Sequence, residues 1–538
     1  MKKLFVNGKF YVEDGIFAKA VLIEGNKFAK VGTEAEVRAA AGEAEVIDCG
    51  GKTVIPGIND SHCHLMMVAK NRSYVQIMGS NSIAEVIRRS RAFLAEHPNA
   101  KCLRGMGWNV VDFVEGEQRN LCAADLDQIS TDIPIAFNRA CGHMIVANSK
   151  AMELAGVDEN TPNPPGGVVE KDENGKPTGR FLERANGLLY AVLEEPGMDE
   201  IVENFRKAMT YANSCGITSL QSNDSGIVRT REECYEAIHK LAEEKAFTVR
   251  YHTQNNFRAV EEFEEFAANE AKHPCYDGEI VTRGPLKLLK DGSIGGHSAL
   301  MREPYLDVPT TKGVEVVPDE LLDKFYAAAD RLGIQVVNHC IGDGAIESVV
   351  TAIEKVLHEG KNPLRHGIVH CQIMDMPLME RLAKADVLAL EQPIFLHSDM
   401  HALATRIPEE LARTSNAYRS MKNLGIKQAF GTDSPVEDIN PFPCIYCAVT
   451  RKDLRGNPEG GYFPEQCLTV AEAVDYYTIG SAYAQFMEAK KGRIKEGFLA
   501  DMAVLDTDIF TCEHDAIKGI KSVLTVMDGN IVYKALFF

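Results

Sequence analysis

Two histidines stand two residues apart, at His62 and His64, in the segment VIPGINDSHCHL. The segment begins as an apolar run, so it predicts a buried strand that ends near these histidines. Side chains alternate between the faces of a strand, so both imidazoles would point to one side, with Cys63 on the other. Two neutral imidazoles that meet at one point can bind a divalent metal, although two packing histidines would have the same spacing.

Four later segments place ionisable residues after apolar runs. A single histidine in such a place is more often a hydrogen-bonded core residue, and Asp433, before Ser-Pro, also suits a turn. Several buried charged groups without partners would cost several kcal/mol, however, and a shared metal ion would remove that cost. In a strand, His366 and His370 would point to the same face. His370 is closer to the end of its run and is the expected ligand. The candidates are Lys287 or Lys290 in KLLKDGS, His339 in VVNHCIGDG, His370 in RHGIVHC and Asp433 in AFGTDSP.

Eight strand-like runs alternate with helical stretches and could position these residues. This alternation is typical of parallel βα units, and eight of them predict an α/β fold with a (β/α)8 TIM-like barrel. In such barrels the active site lies at the carboxyl ends of the strands, where the candidate residues stand. The first run ends at His62 and His64, and the other seven cover residues 216–222, 247–253, 284–293, 334–343, 365–372, 387–393 and 426–434.

Strand-rich segments with hairpin signals also lie at both ends of the chain, for example at Asn7-Gly8 and Gly529-Asn530. They predict a small β-sandwich domain built from residues 1–55 and 490–538, which flanks a barrel domain of residues 56–489. The first and second barrel strands are about 150 residues apart, far more than an ordinary crossover. We therefore expect an inserted subdomain at about residues 70–210, which would cover the barrel mouth and influence the choice of substrate.

The composition restricts the class of protein. The chain has 538 residues, of which 45% are hydrophobic and 25% charged, as in soluble globular proteins. A net charge of −19 argues against nucleic acid or an anionic membrane as a partner. The 14 scattered cysteines suit a reduced cytoplasm better than a disulfide framework. No signal peptide and no membrane-spanning apolar run is expected, so we predict a cytoplasmic location.

The segments GINDSHCH, VVNHCIGDGA, RHGIVHCQ and FGTDSPV resemble the amidohydrolase superfamily. KLLKDGS and the inserted region are similar to its YtcJ-like and N-substituted formamide deformylase-like branch, amidohydrolase family 3. The tail YTIGSAYAQFMEAKKGRIKEGFLADMAVLD also resembles the superfamily, so the resemblance covers nearly the whole chain. It implies His62 and His64 as ligands of a first metal and His339 and His370 as ligands of a second. It also implies Asp433 as a further ligand and the general base.

The resemblance implies a carboxylated lysine that bridges two metals. The branch pattern places it four residues before the Asp-Gly pair, at Lys287. Lys290 has the opposite strand parity, and only a bulge would turn it inward. An unmodified Lys287 over a single metal is the other alternative. The same pattern suggests His143 as an oxyanion donor and Trp108 or Asn109 as substrate contacts, although Trp108 could simply be a packed aromatic residue of the insert.

These expectations describe a metal-dependent amidohydrolase that cleaves a non-peptide C–N bond in a small molecule. One or two divalent ions would activate water, with zinc expected ahead of iron, manganese or nickel. Asp433 would take the proton of that water and pass it to the leaving nitrogen. The expected partner is the small-molecule substrate, and the resemblance implies a homodimer.

Three alternatives remain on the same barrel. A heterocycle deaminase would carry a glutamate shortly after the fifth-strand histidine, whereas this chain has CIGDGA with Asp343 there. A lactone, ester or phosphotriester hydrolase would use the same ligand set. A non-catalytic metal-binding homologue would lack ligands, and none of the expected ligands is missing.

Overall fold

A computed structural model describes residues 2–72, 74–139, 144–190, 192–193, 197–225, 230–269 and 276–538. The chain forms two compact units, one of Met1–Met67 with Arg206–Phe538 and one of Val68–Phe205. Among the described residues, no helix combines the length and apolar character that a bilayer crossing requires.

The first part of the chain forms seven short strands and one helix. Helix α1 (Glu34–Ala41) begins at a capping box, in which Thr33 and Glu36 satisfy each other's backbone N–H groups. The strands are β1 (Lys2–Val6), β2 (Lys9–Glu13), β3 (Ile16–Ala18), β4 (Ala20–Glu24), β5 (Lys27–Gly32), β6 (Glu45–Asp48) and β7 (Thr53–Pro56). The first barrel strand, β8 (Ile58–Cys63), and α2 (Leu65–Arg72) follow.

The unit of Val68–Phe205 holds a separate sheet. In its described residues the sheet has six strands, in the order β13-β14-β12-β11-β10-β9, and β9, β10 and β11 are parallel. The strands are β9 (Val75–Gln76), β10 (Leu103–Trp108), β11 (Ile135–Arg139), β12 (Met144–Ala147), β13 (Gly167–Lys171) and β14 (Pro177–Glu183). The helices are α3 (Ile83–Glu96), α4 (Ala123–Asp127), α5 (Ser149–Leu154) and α6 (Gly187–Tyr190), and α7 (Met198–Ser214) leads out of this region.

Seven further strands complete the barrel sheet. They are β15 (Ile217–Ser225), β16 (Arg250–Asn256), β17 (Val281–Leu289), β18 (Val336–Cys340), β19 (Gly367–His370), β20 (Leu388–Glu391) and β21 (Gln428–Phe430). The helices after β15 to β19 are α8 (Arg231–Glu243), α9 (Val260–Ala268), α10 (Asp319–Leu332), α11 (Asp343–Glu354) and α12 (Met376–Lys384). Those after β20 and β21 are α13 (Leu396–Arg406), α14 (Glu409–Arg413), α15 (Tyr418–Asn423), α16 (Pro441–Thr450), α17 (Val470–Asp475) and α18 (Ser481–Ala484).

The sheet order is β21-β20-β19-β18-β17-β16-β15-β8, so consecutive strands are neighbours, and the pairs are parallel. The edge strands meet beyond β21, where Asp433 N–H donates to the His62 carbonyl over 2.8 Å. His64 N–H likewise donates to the Ser434 carbonyl over 2.7 Å. In the described part of the chain, this eight-stranded, nearly closed barrel confirms the predicted fold class.

The last strands return to the N-terminal sheets. They are β22 (Met502–Leu505), β23 (Ser522–Met527) and β24 (Asn530–Lys534), and α19 (His514–Ile517) lies after β22. The two sheets have the orders β5-β4-β1-β6 and β24-β23-β22-β7-β2-β3. Both chain ends therefore build one sandwich, as the sequence predicts. Its core includes Phe5, Phe10, Phe28, Met502 and Leu524.

Candidate metal centre

Five predicted ligands lie at the carboxyl ends of barrel strands, which is the face where barrel enzymes place their chemistry. His62 belongs to the end of β8, and His64 follows that strand directly. His339 lies in β18 and His370 ends β19. Asp433 follows β21 by three residues.

Asp433 lies beside the first two histidines. Its Oδ1 is 3.3 Å from Nε2 of His62 and 3.1 Å from Nε2 of His64. One ligand atom each from His62, His370 and Asp433 lies within 4.8 Å of the others, and all three residues are buried. Three donors this close together have the spacing that a shared cation requires.

His339 lies next to His370, which in turn lies next to His62. The ring centroids of His339 and His370 are 4.4 Å apart, and those of His62 and His370 are 6.1 Å apart. His339 Nε2 lies 2.9 Å from the carbonyl oxygen of Gly292, so this nitrogen is the donor and Nδ1 keeps the lone pair. The four imidazoles therefore form one continuous group across three strand ends.

Two of these residues have a left-handed backbone. The φ angle is 72° at His370 and 56° at Asp433, and such values are uncommon outside glycine and cluster at functional sites. Strand alternation alone would place His366 and His370 on the same face. Instead, His366 contacts Tyr326 of α10 edge-on while His370 contacts His339 and His62, because the backbone turn at His370 redirects its side chain.

The two candidate lysines have different surroundings. Lys287 in β17 is buried, and its Nζ lies 3.5 Å from the Leu288 carbonyl oxygen. Burial lowers the pKa of Lys287 to about 8. Lys290 Nζ donates to Glu315 and Asp319 over 2.5 and 2.6 Å, so its charge is compensated away from the histidines.

The histidines differ in their protonation. Burial lowers the pKa of His62 and His370 well below the usual value and that of His339 to about 4, so these imidazoles are neutral at pH 7. For His64, burial acts in the same direction, but the hydrogen bond and the charge of Asp433 outweigh it and raise the pKa. Neutral imidazoles have the lone pair that a metal needs.

A model of the amidohydrolase family matches residues 45–533. The chain belongs to the amidohydrolase family. Putative amidohydrolase YtcJ of Bacillus subtilis (strain 168) is 32% identical over 99% of this chain and 100% of its own length. N-substituted formamide deformylase of Arthrobacter pascens is 27% identical over 96% of this chain and 95% of its own length. These relatives confirm the predicted branch.

Solved structures agree with the fold. A crystal structure of an uncharacterized metal-dependent hydrolase from Pyrococcus furiosus is 25% identical to this amidohydrolase. The match has a TM-score of 0.76 and covers 95% of this chain and 100% of the other. The match supports the fold of this amidohydrolase, whose carboxyl-end cluster is the candidate metal centre.

The donor atoms fit a divalent metal. In this amidohydrolase, Nδ1 of His370 is buried and has no hydrogen-bond partner in the described part of the chain. An unpaired buried nitrogen costs free energy, so a native site ordinarily supplies a partner. Imidazole nitrogens with one carboxylate form the mixed N/O set that suits zinc and similar ions.

The insert residues that the sequence suggests lie in the other unit or outside the described residues. Trp108 ends β10, is fully buried and stacks near Phe113, at 6.5 Å between ring centroids. Asn109 follows it and accepts a 3.4 Å hydrogen bond from Arg139. His143 lies outside the described residues. Their roles toward substrate stay predictions.

Several polar residues around the histidines were missed by the sequence reasoning. Asp60 accepts hydrogen bonds from Thr432 Oγ1 and His62 N–H, over 2.5 and 3.0 Å. Gln254 Oε1 lies 2.7 Å from Nδ1 of His62, and the Asn223 carbonyl lies 2.5 Å from Nδ1 of His64. The sequence contains a signal for Asp60 and Asn223. Their strands, β8 (INDSHC) and β15 (ITSLQSNDS), carry several polar residues and yet are buried throughout.

Proposed function

We propose that this amidohydrolase cleaves a non-peptide amide C–N bond of a small molecule with metal-activated water. The observation that carries the proposal is the contact of Asp433 Oδ1 with Nε2 of both His62 and His64, beside His370, whose Nδ1 has no hydrogen-bond partner among the described residues. The name of the Arthrobacter pascens relative, N-substituted formamide deformylase, supports an amide as the substrate class.

The histidines and Asp433 would hold the metal. We assign His62, His64 and Asp433 to a first ion and His339 and His370 to a second, with zinc as the expected metal. A bound ion of this kind lowers the pKa of water from 15.7 to about 7 and polarises a carbonyl. Asp433 would accept the proton of the attacking water at a carboxylate oxygen and donate it to the leaving nitrogen.

Lys287 would complete a two-metal site as a carbamate. Burial favours its neutral amine, which is the form that adds to carbon dioxide, with loss of one proton. The product is an anion with two acceptor oxygens in place of a buried cation. No carboxylate forms an ion pair with Lys287 in the described part of the chain, whereas Lys290 already has two, so the assignment goes to Lys287.

The test combines metal removal with a substrate panel. The protein is stripped with a chelator, reloaded with Zn²⁺ and assayed on N-formyl amines, cyclic amides, lactones, phosphotriesters and aminoheterocycles. We expect turnover of amides in the loaded protein only. Turnover confined to lactones or phosphotriesters would replace the amide assignment, and ammonia release from an aminoheterocycle would indicate a deaminase. A protein that binds metal without turnover of any compound would contradict the proposed hydrolysis.

A further inference from the structure

We propose that Gln254 is a positioning residue that sets the tautomer and orientation of His62, an inference that rests on the proposed metal centre. Gln254 lies in β16, and its side chain is completely buried. Its Oε1 is 2.7 Å from Nδ1 of His62, on the side of the imidazole opposite to the contact with Asp433.

The hydrogen bonds of Gln254 determine which atom accepts. Its Nε2 donates to the Ser61 carbonyl over 3.3 Å, so Oε1 faces His62 as an acceptor. An acceptor at this place requires a proton on Nδ1 of His62. The lone pair of His62 is then on Nε2, which is the atom directed at Asp433 and the proposed metal.

His64 is held in the same way by the neighbouring strand. The backbone carbonyl of Asn223, in β15, lies 2.5 Å from Nδ1 of His64 and leaves Nε2 of that ring facing Asp433. The Asn223 side chain donates to the backbone carbonyl of Gln254 over 2.9 Å. Two adjacent strands therefore orient both histidines through linked amide groups.

Irregular strand pairing brings these groups into place. The register shifts between Ser222 and Ser225 in the β15–β16 pair and between Thr253 and Asn255 in the β16–β17 pair. Asn223 and Gln254 lie inside these shifts. Bulges of this kind redirect side chains and are frequent near active sites.

A neutral acceptor suits this position. Asp60, Asp224 and Asp433 already place three carboxylates near the two histidines. An amide oxygen holds the Nδ1 proton of His62 without adding a fourth carboxylate. Partners behind a metal-binding histidine typically change metal affinity by about 10- to 100-fold when they are removed.

The test measures metal affinity directly. We expect Gln254→Met, which keeps the volume but removes the acceptor, to weaken Zn²⁺ binding by about 10- to 100-fold in competition with a chromophoric chelator. The visible absorption of the Co²⁺-loaded protein should change as well. Gln254→Glu keeps an acceptor at the same place and should bind Zn²⁺ more tightly than Gln254→Met does. Gln221→Met is the matched control, because Gln221 is also buried but donates to the Ser481 carbonyl.

The outcomes separate this inference from the proposed function. If the wild type binds no metal, both are overturned. If the wild type binds metal and Gln254→Met binds it within twofold, or if Gln221→Met loses as much affinity, only the positioning role is overturned. If Gln254→Met does not fold, Gln254→Asn takes its place. Its shorter side chain moves the acceptor oxygen away from His62 by one methylene, and the same loss of Zn²⁺ affinity is expected.

Discussion

At the scale of single residues, burial determines which side chains can serve the metal centre. Lys287 and Lys290 are three residues apart in sequence and both are buried, yet only Lys290 has carboxylates as partners. A buried ammonium without a counter-charge favours its neutral form. The two lysines are therefore expected to respond differently to the same substitution.

We predict that Lys287→Met lowers the metal content and reduces kcat/KM by more than the roughly 100-fold typical of residues behind a ligand. Lys290→Met should keep the metal but lose about 0.5–1.5 kcal/mol of unfolding free energy, since the hydrogen bonds of its ammonium are lost while the exposed carboxylates are solvated by water. Elemental analysis and denaturant unfolding would measure the two effects. Equal loss of metal in both variants would contradict the assignment of Lys287.

At the scale of elements, the site depends on how the last barrel strand joins the first. Thr432 Oγ1 donates to Asp60 over 2.5 Å and accepts from Ser434 N–H over 3.2 Å. Asp433 lies between Thr432 and Ser434 in the chain, and its backbone N–H donates to the His62 carbonyl. This junction holds the carboxylate against the histidines.

Thr432→Val should therefore cost about 1–3 kcal/mol of unfolding free energy and also weaken metal binding, because it leaves Asp60 with fewer donors. Thr525→Val is a matched control, since the buried Thr525 donates to the Asn213 carbonyl over 2.7 Å, away from the histidines. It should lose stability alone. Unchanged metal affinity in Thr432→Val would show that the junction does not position Asp433.

The number of barrel strands and the residues at their ends could be predicted from sequence, because alternation and apolar runs are local signals. His370 is expected as the ligand from its place near the end of its run, whereas alternation alone does not separate it from His366, which packs on Tyr326 instead. Gln254 could not be assigned, because it is 192 residues from His62 and their strands, β16 and β8, are neighbours of β15 rather than of each other. The number of helices between β20 and β21 could not be predicted either. A parallel crossover requires only one helix, whereas this connection forms α13, α14 and α15.

At the scale of the whole molecule, buried charges join the barrel to the sandwich. Arg250 at the start of β16 pairs with Asp501 and Asp528, over 2.7 and 2.8 Å. Lys491 lies nearby, fully buried, and donates to Ser219 Oγ. Burial first, and then the charge of Arg250, lower the pKa of Lys491 to about 7.

This shift predicts a pH dependence of stability. Between about pH 7 and the usual lysine pKa of about 10.4, the unfolded chain binds more protons than the folded one, so the unfolding free energy rises with pH. Lys491→Met should reduce that rise by an amount on the order of a few kcal/mol. Denaturant unfolding at pH 7 and pH 9.5 would measure it. A rise of equal size in the variant would show that Lys491 does not cause it.

The sandwich joins residues from opposite ends of the chain, and Lys9 and Asp508 form a hydrogen bond across 499 residues. A ribosome adds about 5–20 residues per second, so the first strands wait on the order of a minute for their partners. During that interval Phe5, Phe10 and Phe28, which share a core with Met502 and Leu524, have no complete partner sheet. Nascent chains of this protein should therefore present an apolar surface that molecular chaperones bind until β22 to β24 have been synthesised.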